Sequence, residues 1–168
     1  MDVLDDEVFA VLIALTIIAS VVGITQVLRP EATEAFVAIG LLDSECRVGE
    51  YPKEVFEGEY VKLCIFLYNH LGRPQLMRVD YKLGSRDTLP TNTSGSPEEV
   101  ITSFKFLLSH GGNVTKPISA LIPTGRGLVG KEVAMIFELW LYDEDLDGWV
   151  YSGRWVHLYV NVREAPIP

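Results

Sequence analysis

The sequence is poor in the residues that carry most protein chemistry. It has two cysteines, Cys46 and Cys64, and three histidines, His70, His110 and His157, among 168 positions. No C-x-x-C spacing occurs and His70 is the only histidine near the cysteines, unlike any thiolate metal site. No G-x-S-x-G elbow occurs either, so His110-Gly111-Gly112, which looks like an esterase oxyanion motif, has no nucleophile to serve. The dispersed histidines indicate neither a metal triad nor a Ser-His-Asp set. Basic residues are scarce: 14 Lys and Arg against 23 Asp and Glu give a net charge of −9, which argues against a nucleic-acid partner and against a polybasic grip on anionic lipid. No Lys or Arg precedes Arg29, and no internal repeat is visible.

What is present is one long apolar run. Val8 to Leu28 carries no charge and is mostly aliphatic. At about 1.5 Å per residue it covers about 32 Å, close to the ~30 Å hydrocarbon core of a bilayer. The pattern predicts an acidic head over 1–7, a single transmembrane helix over 8–28 and a neck over 29–35, with Pro30 ending the helix. A cleaved secretory signal needs a basic start. Here Asp2, Asp5, Asp6 and Glu7 occupy it, so a retained anchor is expected, with the lipid bilayer as its surroundings. The neck is too short for a tether, which predicts a domain standing close to the membrane surface. Thr16, Ala19, Ser20 and Gly23 share one helical face whose small size would let a partner helix approach. The alternative is that the hydroxyls bond back to their own helix.

The remaining residues suffice for one domain, and their pattern is short apolar runs between turn signals. Strands are expected at Ala35–Leu42, Tyr60–Tyr68, Leu76–Leu83, Glu98–Ser109, Pro117–Ile122, Glu132–Tyr142 and Trp149–Val162, the last bent at Gly153. Val61, Leu63, Ile65 and Leu67 fall on one face of the second run, and Val133, Met135, Phe137, Leu139 and Leu141 on one face of the sixth. Ser96-Pro97-Glu98-Glu99 is a helix-start pattern, but period-two alternation and β-branched content favour a strand there. Residues 84–97 form the longest loop, with no packing face. Together these predict an all-β, immunoglobulin-like antiparallel β-sandwich over 36–164, preceded by the single transmembrane helix and followed by a tail over 165–168.

Several motifs suggest chemistry. Gly125 to Glu132 satisfies G-x-G-x-x-G, yet Glu132 stands where a phosphate loop needs a hydroxyl and a strand follows instead of a helix. A glycine-rich hairpin loop and no nucleotide are expected. Asp143, Asp145 and Asp147 before Gly148 reproduce the first half of a calcium loop, while Arg154 stands where the bidentate Glu belongs. An acidic β-turn is the simpler reading, with calcium the one cofactor to test. Asn92 and Asn113 head N-x-[ST] sequons among Gly, Ser, Pro and Thr, and favour an extracytoplasmic domain with glycosylation as the modification. Cys46 and Cys64 are preferentially buried free thiols, with a disulfide as the alternative if their strands are neighbours.

Three runs together resemble an archaeal family of uncharacterised membrane-anchored proteins: Phe36–Gly40 leading to Tyr51-Pro52, Gly58-Glu59 before a strand ending in Asn69-His70 and Gly72, and Phe137–Tyr142 answered by His157–Val162. Leu71 departs from the family, which tends to have an acidic residue there. The resemblance implies an immunoglobulin-like ectodomain on a membrane anchor and carries over no catalytic residue. In the N-H-x-G run itself, Asn is expected to cap the strand end and Gly to supply a positive φ. The resulting expectation is a non-enzymatic, single-span protein of the cell membrane, an accessory or assembly subunit with other membrane or envelope subunits as partners. A surface-filament subunit is the alternative, and a membrane-anchored hydrolase or glycan-modifying enzyme stands behind both.

Overall fold

The computed structural model describes residues 6–27 and 34–165, so residues 1–5 of the predicted acidic head, residue 28, most of the neck and the last three residues lie outside the described residues. The chain divides into two compact units, residues 1–34 and residues 35–168.

The first unit holds helix α1, Asp6–Val27. Apolar side chains surround it without a favoured face, and none of Val8–Thr25, a stretch of mean hydropathy 2.7, is buried within the chain. A helix apolar all round needs an apolar medium. Among the described residues it is the one helix long and apolar enough to cross a membrane.

The second unit is built from eight strands: β1 (Phe36–Leu42), β2 (Glu54–Phe56), β3 (Tyr60–His70), β4 (Gln75–Gly84), β5 (Val100–Leu108), β6 (Asn113–Leu121), β7 (Glu132–Asp143) and β8 (Gly148–Arg163). They form a three-stranded sheet of order β1-β3-β6 and a five-stranded sheet of order β2-β8-β7-β4-β5. Period-two alternation puts Leu63, Ile65 and Leu67 of β3 and Met135, Phe137 and Leu139 of β7 in one shared core, all at most 1 % exposed, with Tyr81 stacked on Phe137 at 5.1 Å. The ambiguous segment before Gly111 is strand β5, as its alternation predicts.

The structure corrects several expectations. β2 carries no apolar alternation to announce it; backbone pairing with Asn161–Arg163 makes it a strand, and the pairing is parallel, so the domain is not wholly antiparallel. β6 begins at Asn113, because pairing with Tyr68 extends it beyond the apolar run. The loop at 125–130 joins β6 of one sheet to β7 of the other and is no hairpin, although Gly125, Gly127 and Gly130 all take positive φ. Cys46 and Cys64 are bonded, with Cα atoms 5.1 Å apart, against the preference for free thiols. The reason is local. Pairing of β1 with β3 sets Leu42 opposite Cys64, and a turn built on Asp43, whose Oδ1 accepts from the N–H groups of Glu45 and Arg47 at 2.9 Å each, carries Cys46 back over the same place.

The bend expected at Gly153 is a bulge in β8, between the pairs Leu139–Arg154 and Trp140–Tyr151. Gly153 has φ +71°, and a Cβ there would run into the Asn92 carbonyl of the long loop, so both conformation and space demand glycine.

Candidate functional site

On α1, Thr16 Oγ1 donates to the Leu12 carbonyl at 2.8 Å and Ser20 Oγ to the Thr16 carbonyl at 2.7 Å. These hydroxyls are satisfied within their own helix, the alternative named for the stripe that also holds Ala19 and Gly23. The carboxylates of Asp143, Asp145 and Asp147 are not drawn together: Asp143 Oδ1 accepts from the N–H groups of Asp145 and Leu146 at 2.9 and 3.1 Å, and Asp147 accepts from the Tyr142 hydroxyl, which pushes the phenol's pKa up. The segment is the turn of the β7–β8 hairpin. Among the described residues no three carboxylate, imidazole or thiolate groups gather to hold a metal ion. Asn92 and Asn113 are both exposed.

Asn69 caps the end of β3 more thoroughly than expected. Fully buried, it donates through Nδ2 to the carbonyls of Arg73 and Leu108 at 2.8 and 2.9 Å and accepts from the Leu71 N–H at 3.0 Å, with Gly72 at φ +80° completing the turn. The same turns bring His70 and His110 together, ring centres 4.8 Å apart, although they are forty residues distant in sequence. His110 Nδ1 accepts from the Gly72 N–H at 3.0 Å, which gives that ring a structural task.

Two features escaped sequence reading. The first is a buried polar network on the outer face of the five-stranded sheet. Asp80 and Glu138 are cross-strand partners, 2 % and 0 % exposed, and like charges so placed repel unless each is compensated. Arg78 lies 2.8 Å from Asp80, whose other oxygen accepts from Ser103 Oγ at 2.6 Å. Lys82 lies 3.1 Å from Glu138, which also accepts from the Ser96 N–H and, at 3.2 Å, from Trp140 Nε1. Lys82 donates as well to the Ser96 carbonyl at 2.7 Å. The 84–97 loop thus does pack: Ser96 and Pro90 are buried, and the loop lies over β7 so that Ala134, Ile136 and Glu138 are as inaccessible as the core-facing side. All three tryptophans, Trp140, Trp149 and Trp155, belong to this face, with the Arg78 guanidinium 4.6 Å from the Trp149 ring centre. Tyr151, beneath the loop, has its pKa pushed up to about 12 by burial and then by the nearby Glu138 charge. Among the described residues its one buried side-chain atom without a partner is Arg78 Nε.

The second feature is a groove of about 530 Å³ lined by Leu41, Tyr51, Trp155, Val156, His157 and Leu158. A hollow of about 290 Å³ along Phe36–Ile39, Arg154 and Trp155 also follows β1 and β8. β1 lies over β8, and here the two sheets are not closed. The floor is apolar, Val156 and Leu158 being core-facing residues of β8 that stay half-buried. Tyr51 stands in the groove with its hydroxyl donating to the Leu41 carbonyl at 2.7 Å. Desolvation holds the pKa of His157 below 6.5.

The chain matches no family model and no curated protein. Among solved structures it is similar to a β-glucosidase from Listeria innocua, at 12 % identity and a TM-score of 0.45, over 80 % of this chain and 17 % of that one. It is also similar to the sporulation control protein Spo0M from Bacillus subtilis, at 16 % identity and a TM-score of 0.44, over 76 % of this chain and 49 % of that one. The chain thus spans at most about half of these proteins. Likeness at this level assigns no activity.

Proposed function

We propose that the chain is a non-enzymatic, single-span membrane protein, an accessory or assembly subunit whose β-domain lies on the outer side of the cell membrane and docks on a larger membrane or envelope complex. The observation that carries this is α1: twenty-two residues, apolar on every side and unburied by its own chain from Val8 to Thr25. Such a surface calls for lipid or another apolar helix. The extracytoplasmic side is supported by the Cys46–Cys64 disulfide, which persists in oxidising compartments, and by the exposure of both sequon asparagines.

The immunoglobulin-like character is supported by strand order. Taken in sequence, β1, β3 and β6 correspond to A, B and E of that fold and β4, β5, β7 and β8 to C, C′, F and G. Membership of the archaeal membrane-anchored family belongs to the same proposal.

The test is extraction at native expression in a mild detergent followed by sizing. Co-elution with a distinct larger assembly is the expected result, and a lone monomer with no companion would overturn the reading. Ser20→Leu with Gly23→Leu should leave membrane insertion intact while shifting the chain out of that assembly if the small-residue face contributes to docking.

A further inference from the structure

We infer that the free edge of β1 is a docking site for one extended segment of a partner protein, which adds a fourth strand to the three-stranded sheet and closes the groove over Val156 and Leu158. This rests on the reading of the chain as a docking subunit and names the surface and the kind of partner.

The argument begins with backbone groups. In an antiparallel pair, opposed residues alternate between exchanging hydrogen bonds and turning their backbone groups away. Val37 stands opposite Asn69, and the Asn69 N–H and C=O are engaged on the other side, with the Gly112 carbonyl at 2.9 Å and the Gly111 N–H at 2.8 Å. Val37, Ile39 and Leu41 therefore turn their N–H and C=O groups outward. The Leu41 carbonyl has the Tyr51 hydroxyl. Those of Val37 and Ile39 have no partner among the described residues. A row of donors and acceptors at the strand repeat is matched by another extended backbone and by little else.

The side chains say the same. Natural edge strands are guarded by charge, proline or bulges, and β1 (FVAIGLL) has none of these. Beneath β3, the core-facing residues of β7 are sealed, Met135, Phe137 and Leu139 being 0 % exposed; beneath the free edge of β1, Val156 and Leu158 are only half-buried. The three-stranded sheet is narrower than the five-stranded sheet it covers. An added strand with apolar residues at alternate positions would satisfy Val37 and Ile39 and cover that floor.

A lone segment fits better than a second copy of this domain. β1 lies over β8, and β2 lies beyond β8. Two domains meeting β1 edge to β1 edge would drive their five-stranded sheets into each other.

The geometry provides a selective variant. The Ile39 N–H faces the free edge, so Ile39→Pro removes a donor the partner would use and none that β3 uses, whereas Ile39→Ala keeps the donor and trims only the side chain. The full-length protein in its native membrane would carry the photocrosslinking residue p-benzoylphenylalanine in place of Leu158. The expected result is a discrete adduct that peptide mass spectrometry maps to a run with apolar residues at alternate positions in another protein. Ile39→Pro should lower its yield about tenfold, while Ile39→Ala stays within about threefold. An adduct undiminished by Ile39→Pro, attachment to this chain itself, or no adduct would each overturn the inference. Should Ile39→Pro fail to fold, judged by the Cys46–Cys64 bond and protease resistance, Val156→Lys charges the floor without touching β1 and must cause the same loss. An assembly that persists in sizing while these variants change nothing would sink the inference alone; a lone monomer would sink the docking reading with it.

Discussion

At Lys82 and Glu138 two opposite charges are held at 7 % and 0 % side-chain exposure on what pattern alone would make the solvent side of a sheet. Removing one partner strands the other's charge, so Lys82→Met should cost about 3–5 kcal/mol in denaturant unfolding. Replacing both, as Lys82→Met with Glu138→Leu, should recover a good part of that loss, since no buried charge is left without its partner. His157 yields a pH prediction. Burial lowers its folded pKa, so the folded state favours the neutral ring and the unfolded state binds the proton more readily. The contribution is fully present above the unfolded value near 6.5 and lost as pH falls below it towards the depressed folded value. Unfolding midpoints measured from pH 8 to 5 should fall less steeply for His157→Gln. The alternation of Glu138 with Phe137 was visible in sequence, but its burial was not, because the residues covering it come from a loop more than forty positions earlier.

At the scale of elements, β3, β5, β7 and β8 follow from period-two patterns, while β2 exists only because the neighbouring edge of β8 offers it partners. The disulfide ties the segment after β1 to the outer side of β3 across a sequence separation of 18. Closing a loop of that length is worth about 3 kcal/mol through the unfolded chain. Reduction, or Cys46→Ser with Cys64→Ser, should lower unfolding free energy by about that amount and leave the β-sheet circular dichroism in place. Spacing could not decide between free thiols and a bridge. The decision came from the β1–β3 register together with the Asp43 turn.

At the scale of the molecule, the β-unit has its own hydrophobic core and its own disulfide. Residues 35–165 expressed without α1 should therefore fold and remain soluble without detergent. The unfolding midpoint should lie within about 4 °C of the full-length chain, roughly the shift caused by 1 kcal/mol in a domain of this size. What the sequence by itself determined is what depends on neighbours along the chain: an apolar helix long enough to cross a bilayer, the strands that alternate, the acidic turn, the bend at Gly153 and the cap at Asn69. Composition and period act locally, and they survive any packing. What only the tertiary structure decided depends on which distant segments meet: the cysteine bridge, the loop that seals Lys82 and Glu138, the meeting of His70 with His110, and the open seam between β1 and β8. Register and sheet width set these, and neither is written in any single stretch of residues.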